Sequence, residues 1–210
     1  MDPTNSAKPV VHVIDDDTSI RAAITRLLHY CGFDTRSYAS AAEFLLEARE
    51  DRPGCILLDV ALPGMDGMEL HTALAKSNDQ IPVVFLTARG DIDMSVQAMK
   101  TGAVDFLTKP VKREKLLGAI GVALARDTEA RARREQLREL RARYERLTNR
   151  ELDVFARVVK GKLNKQIADE LSTSIRTVKA HRAKVMEKME VASLAELVRI
   201  ADELGAFAHD

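Results

Sequence analysis

The chain has 210 residues and a mass of 23.3 kDa, 46% of it hydrophobic and 30% charged, a balance that excludes a disordered, collagen-like or purely coiled-coil protein. No apolar run approaches the roughly eighteen residues needed to cross a bilayer, and the polar start Met1-Asp2-Pro3-Thr4-Asn5-Ser6 is unlike a secretory signal, so a soluble cytoplasmic protein is expected. The zero net charge hides an asymmetry: residues 1–125 carry 13 basic and 17 acidic side chains, residues 126–146 carry 8 and 5, and the stretch 160–188 carries 8 and 3, which points to two domains with different partners.

In chain order, Val10–Ile14 reads as a strand. The following helix has Ile20, Ile24, Leu27 and Leu28 on one face and stops at Gly32. Thr35–Tyr38 is a weaker strand, and Ser40-Ala41-Ala42-Glu43 is a capping box opening the next helix. Arg52-Pro53-Gly54 leads into Cys55–Leu58, an apolar run suited to a central parallel strand. A Pro/Gly loop over Leu62–Gly67 precedes a helix from Met68. Then come a strand at Val83–Leu86, a helix over Asp91–Thr101, a strand at Ala103–Leu107 and a helix from Arg113. This strict alternation predicts an α/β fold with a doubly wound, five-stranded parallel sheet. Cys31 and Cys55 lack metal-ligand spacing and are expected to be buried thiols in a reducing compartment.

From Ala123 to Leu147 there is neither Pro nor Gly, and apolar or arginine residues recur every three or four positions from Leu116 to Leu147. The spacing predicts a continuous helix, read as a solvated spacer or as one strand of a parallel coiled coil. The remainder is helical. Thr148-Asn149-Arg150-Glu151 is a capping box before Leu152, Phe155, Val158 and Val159. Gly161 closes that helix, and Asn164 caps a short one bearing Ile167, Ala168 and Leu171. Ser172-Thr173-Ser174 turns into a third helix with Val178, His181, Val185 and Met189 inward, and Ser193-Leu194-Ala195-Glu196 opens a fourth. A short helix, a polar turn and a longer basic helix form a helix-turn-helix, within a separate all-α four-helix domain.

Chemistry gathers at the strand ends. Asp15-Asp16-Asp17 follow the first strand, Asp59 ends the third, Thr87 follows the fourth, and Lys109, before Pro110, follows the fifth. In sheet order 2-1-3-4-5 the first and third strands adjoin at the switch point where such sheets bind ligands, so these groups converge. Clustered carboxylates repel unless a hard cation such as Mg²⁺ takes them as oxygen ligands. A carboxylate beside that cation can capture a phosphoryl group, whose charge a hydroxyl and an ammonium then help to neutralise.

His12-Val13-Ile14-Asp15-Asp16-Asp17, Asp59-Val60-Ala61-Leu62-Pro63-Gly64-Met65-Asp66-Gly67, Leu86-Thr87-Ala88 and Asp105-Phe106-Leu107-Thr108-Lys109-Pro110 resemble the signature of bacterial response-regulator receiver domains, a flavodoxin-like fold, over about residues 9–125. Leu147–Glu151, Asn164–Ala168 and Thr177–Arg182 resemble the LuxR-type helix-turn-helix, here 147–208, with 126–146 as helical linker. Together they are similar to the FixJ/NarL class of two-component transcription regulators. The resemblance implies a phosphoprotein rather than an enzyme, with Asp59 as phosphoacceptor. It implies Mg²⁺ held by Asp15, Asp16, Asp59 and the backbone carbonyl of Ala61, and contacts from Thr87 and Lys109 to the phosphoryl oxygens. Phe106 would be the switch aromatic that follows Thr87 inward. Its implied partners are a sensor histidine kinase, promoter DNA, RNA polymerase and a second copy of the phosphorylated chain. Two positions depart from the common pattern: Phe106 stands where Tyr is usual, and Ala61 is small.

With Val178, His181, Val185 and Met189 inward, Arg176, Lys179, Ala180, Arg182 and Ala183 are expected outward, where Lys and Arg read guanine edges and Ala meets a thymine methyl. Lys165, Lys184 and the polar turn are placed for phosphates, and Thr177 completes the expected DNA-contacting set. His181 lacks a partner at metal-ligand spacing and is read as a packing or phosphate-contacting residue. A haloacid-dehalogenase-type phosphohydrolase would also use an acidic pair after its first strand. It needs a second acidic pair after Lys109, where the chain turns helical, and it leaves Asp59 without a role.

Overall fold

Short runs rich in valine, leucine and isoleucine form the strands β1 (Val10–Ile14), β3 (Gly54–Asp59) and β4 (Val83–Thr87), all buried along their length. With β2 (Asp34–Tyr38) and β5 (Asp105–Thr108) they make one parallel sheet of order β2-β1-β3-β4-β5. The computed structural model describes residues 8–48, 50–77, 81–88 and 92–205 and divides into the units Met1–Arg131 and Ala132–Asp210.

Alternation along each strand sends side chains to two faces, and each face has its own core. On one, Val11, Val13, Cys55, Leu57, Val84 and Leu86 meet Ile24 and Leu28 of α1 (Thr18–Tyr30). Leu116, Ala119, Ile120 and Ala123 of α5 (Arg113–Glu145) complete that core. On the other, Ile14, Ile56, Leu58 and Phe85 meet Phe44 of α2 (Ala41–Leu46), Leu70 and Leu74 of α3 (Gly67–Lys76) and Ala98 of α4 (Ile92–Lys100). Gly32 takes φ +87°, a conformation that ends α1 without the penalty a Cβ would bring. Gly67 answers to proximity instead: a Cβ there would lie 2.2 Å from the Asp59 carbonyl oxygen, so only glycine lets α3 start this close to the end of β3.

Several local expectations need correction. Ala103 and Val104 precede β5 rather than belonging to it: the N–H of Ala103 closes the turn after α4 onto Ala98 O, and that of Val104 reaches Val83 O at the start of β4. Ser40 caps α2 by accepting from Glu43 N, but the Glu43 carboxylate returns to the N–H of Ala39, so the box is not reciprocal. Asp91 lies outside the described residues. Cys31 is half-buried beside Arg113 rather than buried, while Cys55 is fully enclosed and burial pushes its thiol up to about 12.

The helix α5 runs 33 residues without a break. Its continuation past Ala123 is still tied to the first unit: buried Asp127 accepts from the N–H of Gly54 and from Arg131 Nε, both at 2.8 Å. Leu116, Ala119 and Ala123 are spent on the sheet, and Leu140 and Leu147 on the second unit's core. The seam left between them is Arg126, Ala130, Arg133 and Leu137, too polar for coiled-coil knobs.

In the second unit, α6 (Asn149–Val159), α7 (Asn164–Glu170), α8 (Ile175–Lys188) and α9 (Leu194–Glu203) close around Phe155, Val158, Ile167, Val178, Val185, Met189, Leu197 and Ala201. Thr148 and Glu151 form the full reciprocal box at α6. Asn164 is the first residue inside α7 rather than its cap. That place falls to Leu163, whose N–H is satisfied by Gln166 Oε1, and the Asn164 side chain turns to α8 instead.

Candidate functional sites

The first site is built at the carboxyl ends of β1, β3, β4 and β5. Asp15 and Asp59 are buried while Asp16 is exposed, and one carboxylate oxygen from each lies within 4.8 Å of the other two. Lys109, following β5 and joined to Pro110 by a cis bond, places Nζ 2.7 Å from both Asp15 Oδ2 and Asp59 Oδ2. Asp17 stands apart as the N-cap of α1, accepting from Ser19 and Ile20, and these bonds lower its pKa. Thr87 is buried at the end of β4, whose Leu86 pairs with Asp59 in the sheet register. Phe106 of β5 is half-buried with its ring 6.0 Å from Phe85, and exposed Ala61 directs its N–H toward Asp59 Oδ1 at 3.4 Å.

Electrostatics sharpen that arrangement. Burial is the largest influence on Asp15 and raises its pKa despite the Lys109 ammonium. Burial also works against the charge on Lys109, yet its bonds to the two carboxylates outweigh this and raise its pKa. Two buried carboxylates thus share one ammonium, with the exposed Asp16 carboxylate beside them, which leaves a pocket of excess negative charge offering only oxygen donors. A hard divalent cation fits that donor set.

The second site is the outer surface of α8. Val178, Val185 and Met189 are fully buried, and Arg176, Lys179, Ala180, Ala183 and Lys184 are exposed. Lys165 is exposed on α7. Two expectations shift. His181 is half-buried, at the edge of the inward face rather than within the core, and Arg182 turns toward α7, where Nη1 donates to Asn164 Oδ1 at 3.2 Å. Arg182 follows Val178 by four and precedes Val185 by three, so it shares their side of the helix. Thr177 is half-buried, its N–H bonded to Ser174 Oγ and its hydroxyl 2.8 Å from the same atom.

Known proteins agree with both halves. Residues 11–121 match the response regulator receiver domain, and residues 145–201 match the bacterial regulatory proteins of the luxR family. The chain is 41% identical over 200 residues to the response regulator protein TmoT of Ectopseudomonas mendocina, covering 95% of this chain and 91% of that one. It is 40% identical over 191 residues to the transcriptional regulatory protein FixJ of Azorhizobium caulinodans, covering 91% and 90%. The solved structure of the response regulator StyR superposes with a TM-score of 0.82 at 44% identity, covering 94% of this chain and all of that one. Full-length FixJ from B. japonicum gives 0.56 at 37% identity, covering 94% and 97%. The chain belongs to the response regulators that carry a LuxR-type DNA-binding domain.

As a response regulator of two-component systems it controls transcription, in a family that is not generally enzymatic. Among its described residues no helix is long and apolar enough to cross a membrane. Sequence reasoning brought the regulator's four strand-end groups together but missed Asp127, assigned to the linker. The only available sign was its i,i+4 spacing to Arg131, which the structure pairs. It also counted Lys162 and Lys188 in the basic patch, whereas these pair with Glu170 and Glu151 inside the domain.

Proposed function

We propose that Asp59 is the phosphoacceptor of this regulator. An Asp59 carboxylate oxygen bonds to the phosphorus of a phosphohistidine on a sensor kinase, the P–N bond breaks, and the imidazole leaves with the electron pair and takes up a proton. The convergence of Asp15, Asp16, Asp59 and Lys109 carries this reading. Asp15, Asp16, Asp59 and the Ala61 carbonyl are the groups to hold Mg²⁺, which when bound supplies positive charge to the phosphoryl oxygens. Lys109 holds its ammonium where the added oxygens arrive, and the Thr87 hydroxyl is the donor on the next strand. Small Ala61 leaves water an approach, so the acyl phosphate hydrolyses without a partner.

Thr87 then moves toward the phosphoryl group and Phe106 fills the space it leaves. The face of α4 that exposes Ile92, Val96 and Met99 pairs with a second copy. The paired regulator binds promoter DNA through Arg176, Thr177, Lys179, Ala180, Ala183 and Lys184, with Lys165 on the backbone, and acts with RNA polymerase in the cytoplasm. Arg182 contributes from the α7 side. The functional division is 9–125 for the receiver, 126–146 for the connecting helix and 147–208 for DNA binding, with Asp127 and Arg131 packing against the receiver.

Acetyl phosphate in Mg²⁺ tests the central assignment. Asp59→Asn is expected to abolish acid-labile labelling. Stoichiometric labelling of another residue in that variant overturns it.

A further inference from the structure

A cavity of about 140 Å³ lies in the second unit, between α6, α8 and the turn that follows α7. It is lined by Arg150 of α6, Ser172 and Thr173 of the turn, and Thr177 and His181 of α8, over an apolar floor of Val154 and Leu171. That volume is below the roughly 300 Å³ where organic-ligand pockets begin, and suits a small tetrahedral anion. Its lining supplies a guanidinium, an imidazole and three hydroxyls, with no carboxylate. Arg150 is only loosely engaged, reaching Asp153 at 3.5 Å with a 66% exposed side chain. Among the described residues the His181 ring makes no hydrogen bond.

The location matters as much as the chemistry. Thr177, His181 and Lys184 follow one another at helical spacing, bordering the exposed face with Lys179, Ala180 and Ala183. An anion in the cavity therefore lies beside whatever groove that face enters. We propose that this cavity is a phosphodiester-binding site, gripping one DNA backbone phosphate per subunit through Arg150 and His181 with help from the turn hydroxyls. It rests on the reading of α8 as the DNA-reading helix, and adds Arg150 to the contact set, joined to His181 and the turn hydroxyls on a single phosphate.

The test is a methylphosphonate scan of a preferred site with the full-length protein, in which each backbone phosphate is made neutral in turn. Wild type is expected to lose roughly tenfold in affinity at one phosphate per half-site, as for a lost charge-assisted hydrogen bond. Arg150→Gln is expected to bind native DNA roughly tenfold more weakly on every sequence, and to be indifferent to neutralisation at that same phosphate. Being exposed, Arg150 can be replaced without disturbing the core, and His181→Gln, checked for an unchanged thermal melt, should behave alike. If Arg150→Gln keeps full sensitivity at every phosphate, the site is refuted. If inorganic phosphate binds wild type but not Arg150→Gln while DNA affinity is unchanged, the ligand is a free anion and the proposal also falls. A wild type with no sequence-specific DNA binding at all would indict the reading of α8 instead.

Discussion

Glu151 shows how one buried carboxylate holds the DNA-binding unit together. It accepts from Thr148 N at 2.8 Å and from Lys188 Nζ at 2.6 Å, joining the start of α6 to the end of α8. The Lys188 ammonium is the main reason its pKa falls from 4.5 to about 2. A depressed carboxylate stabilises the fold fully above its unfolded value and loses that contribution as pH falls through its folded one. Thermal stability is therefore expected to drop between about pH 4.5 and pH 2, and Glu151→Gln should be less stable at pH 7 with a flatter profile in that window. Circular dichroism melts at pH 7, 4 and 2.5 check both. On α8, exposed Lys179 and α7's exposed Lys165 separate two kinds of contact. Lys179→Ala is expected to cost about 1–3 kcal/mol on the preferred site and relax choice at one base pair. Lys165→Ala should weaken all sequences alike and lower the salt slope by roughly one ion per subunit. A panel of single-base variants at two salt concentrations distinguishes them, and exchanged behaviour would show that α7 and α8 have the opposite roles.

At the scale of an element, α5 is the instructive case. Its Asp127 satisfies the N–H of Gly54 at the start of β3, a partner 73 positions away. Asp127→Ala leaves that N–H buried and unpaired, and is expected to destabilise the chain by about 1–3 kcal/mol in urea unfolding. Acetyl phosphate labelling should survive, since Asp59 lies at the other end of β3. Asp127 was hidden from sequence reasoning because one acid in a charged helical stretch looks solvated, and nothing local announces a partner on β3. Ala103 misleads for the opposite reason: it is apolar and buried, and only the destination of its N–H, Ala98 O, separates a turn from a strand. The carboxylate pocket was legible because each of its groups directly follows a strongly patterned strand, so topology alone brought them together. Arg182 is expected outward with its neighbours Lys179 and Ala183, yet its spacing from Val178 and Val185 puts it near their side, and its guanidinium reaches Asn164.

For the whole molecule, the expected output of phosphorylation is assembly. Moving a monomer-favouring equilibrium from 1:99 to 99:1 takes about 5.5 kcal/mol of differential stabilisation. Sedimentation of the chain with and without acetyl phosphate is expected to show tighter self-association only with it, and equal dimer affinity would refute the switch. The internal pairings of the DNA-binding unit give that assembly its purpose. Of the eight basic residues between 160 and 188, Lys162 and Lys188 are already paired with Glu170 and Glu151. Random DNA attracts a protein through its uncommitted cations, each phosphate contact adding about 0.9 to the salt slope. One subunit therefore has little hold on the genome at large and leaves chance sites quickly. Against the vast excess of such sites, occupancy of a promoter is decided by the ratio of specific to indiscriminate binding rather than by raw affinity. On the proposed switch, a regulator that keeps its stray attraction low and doubles its contacts only when paired would spend its time searching while silent, and stay where it lands once signalled.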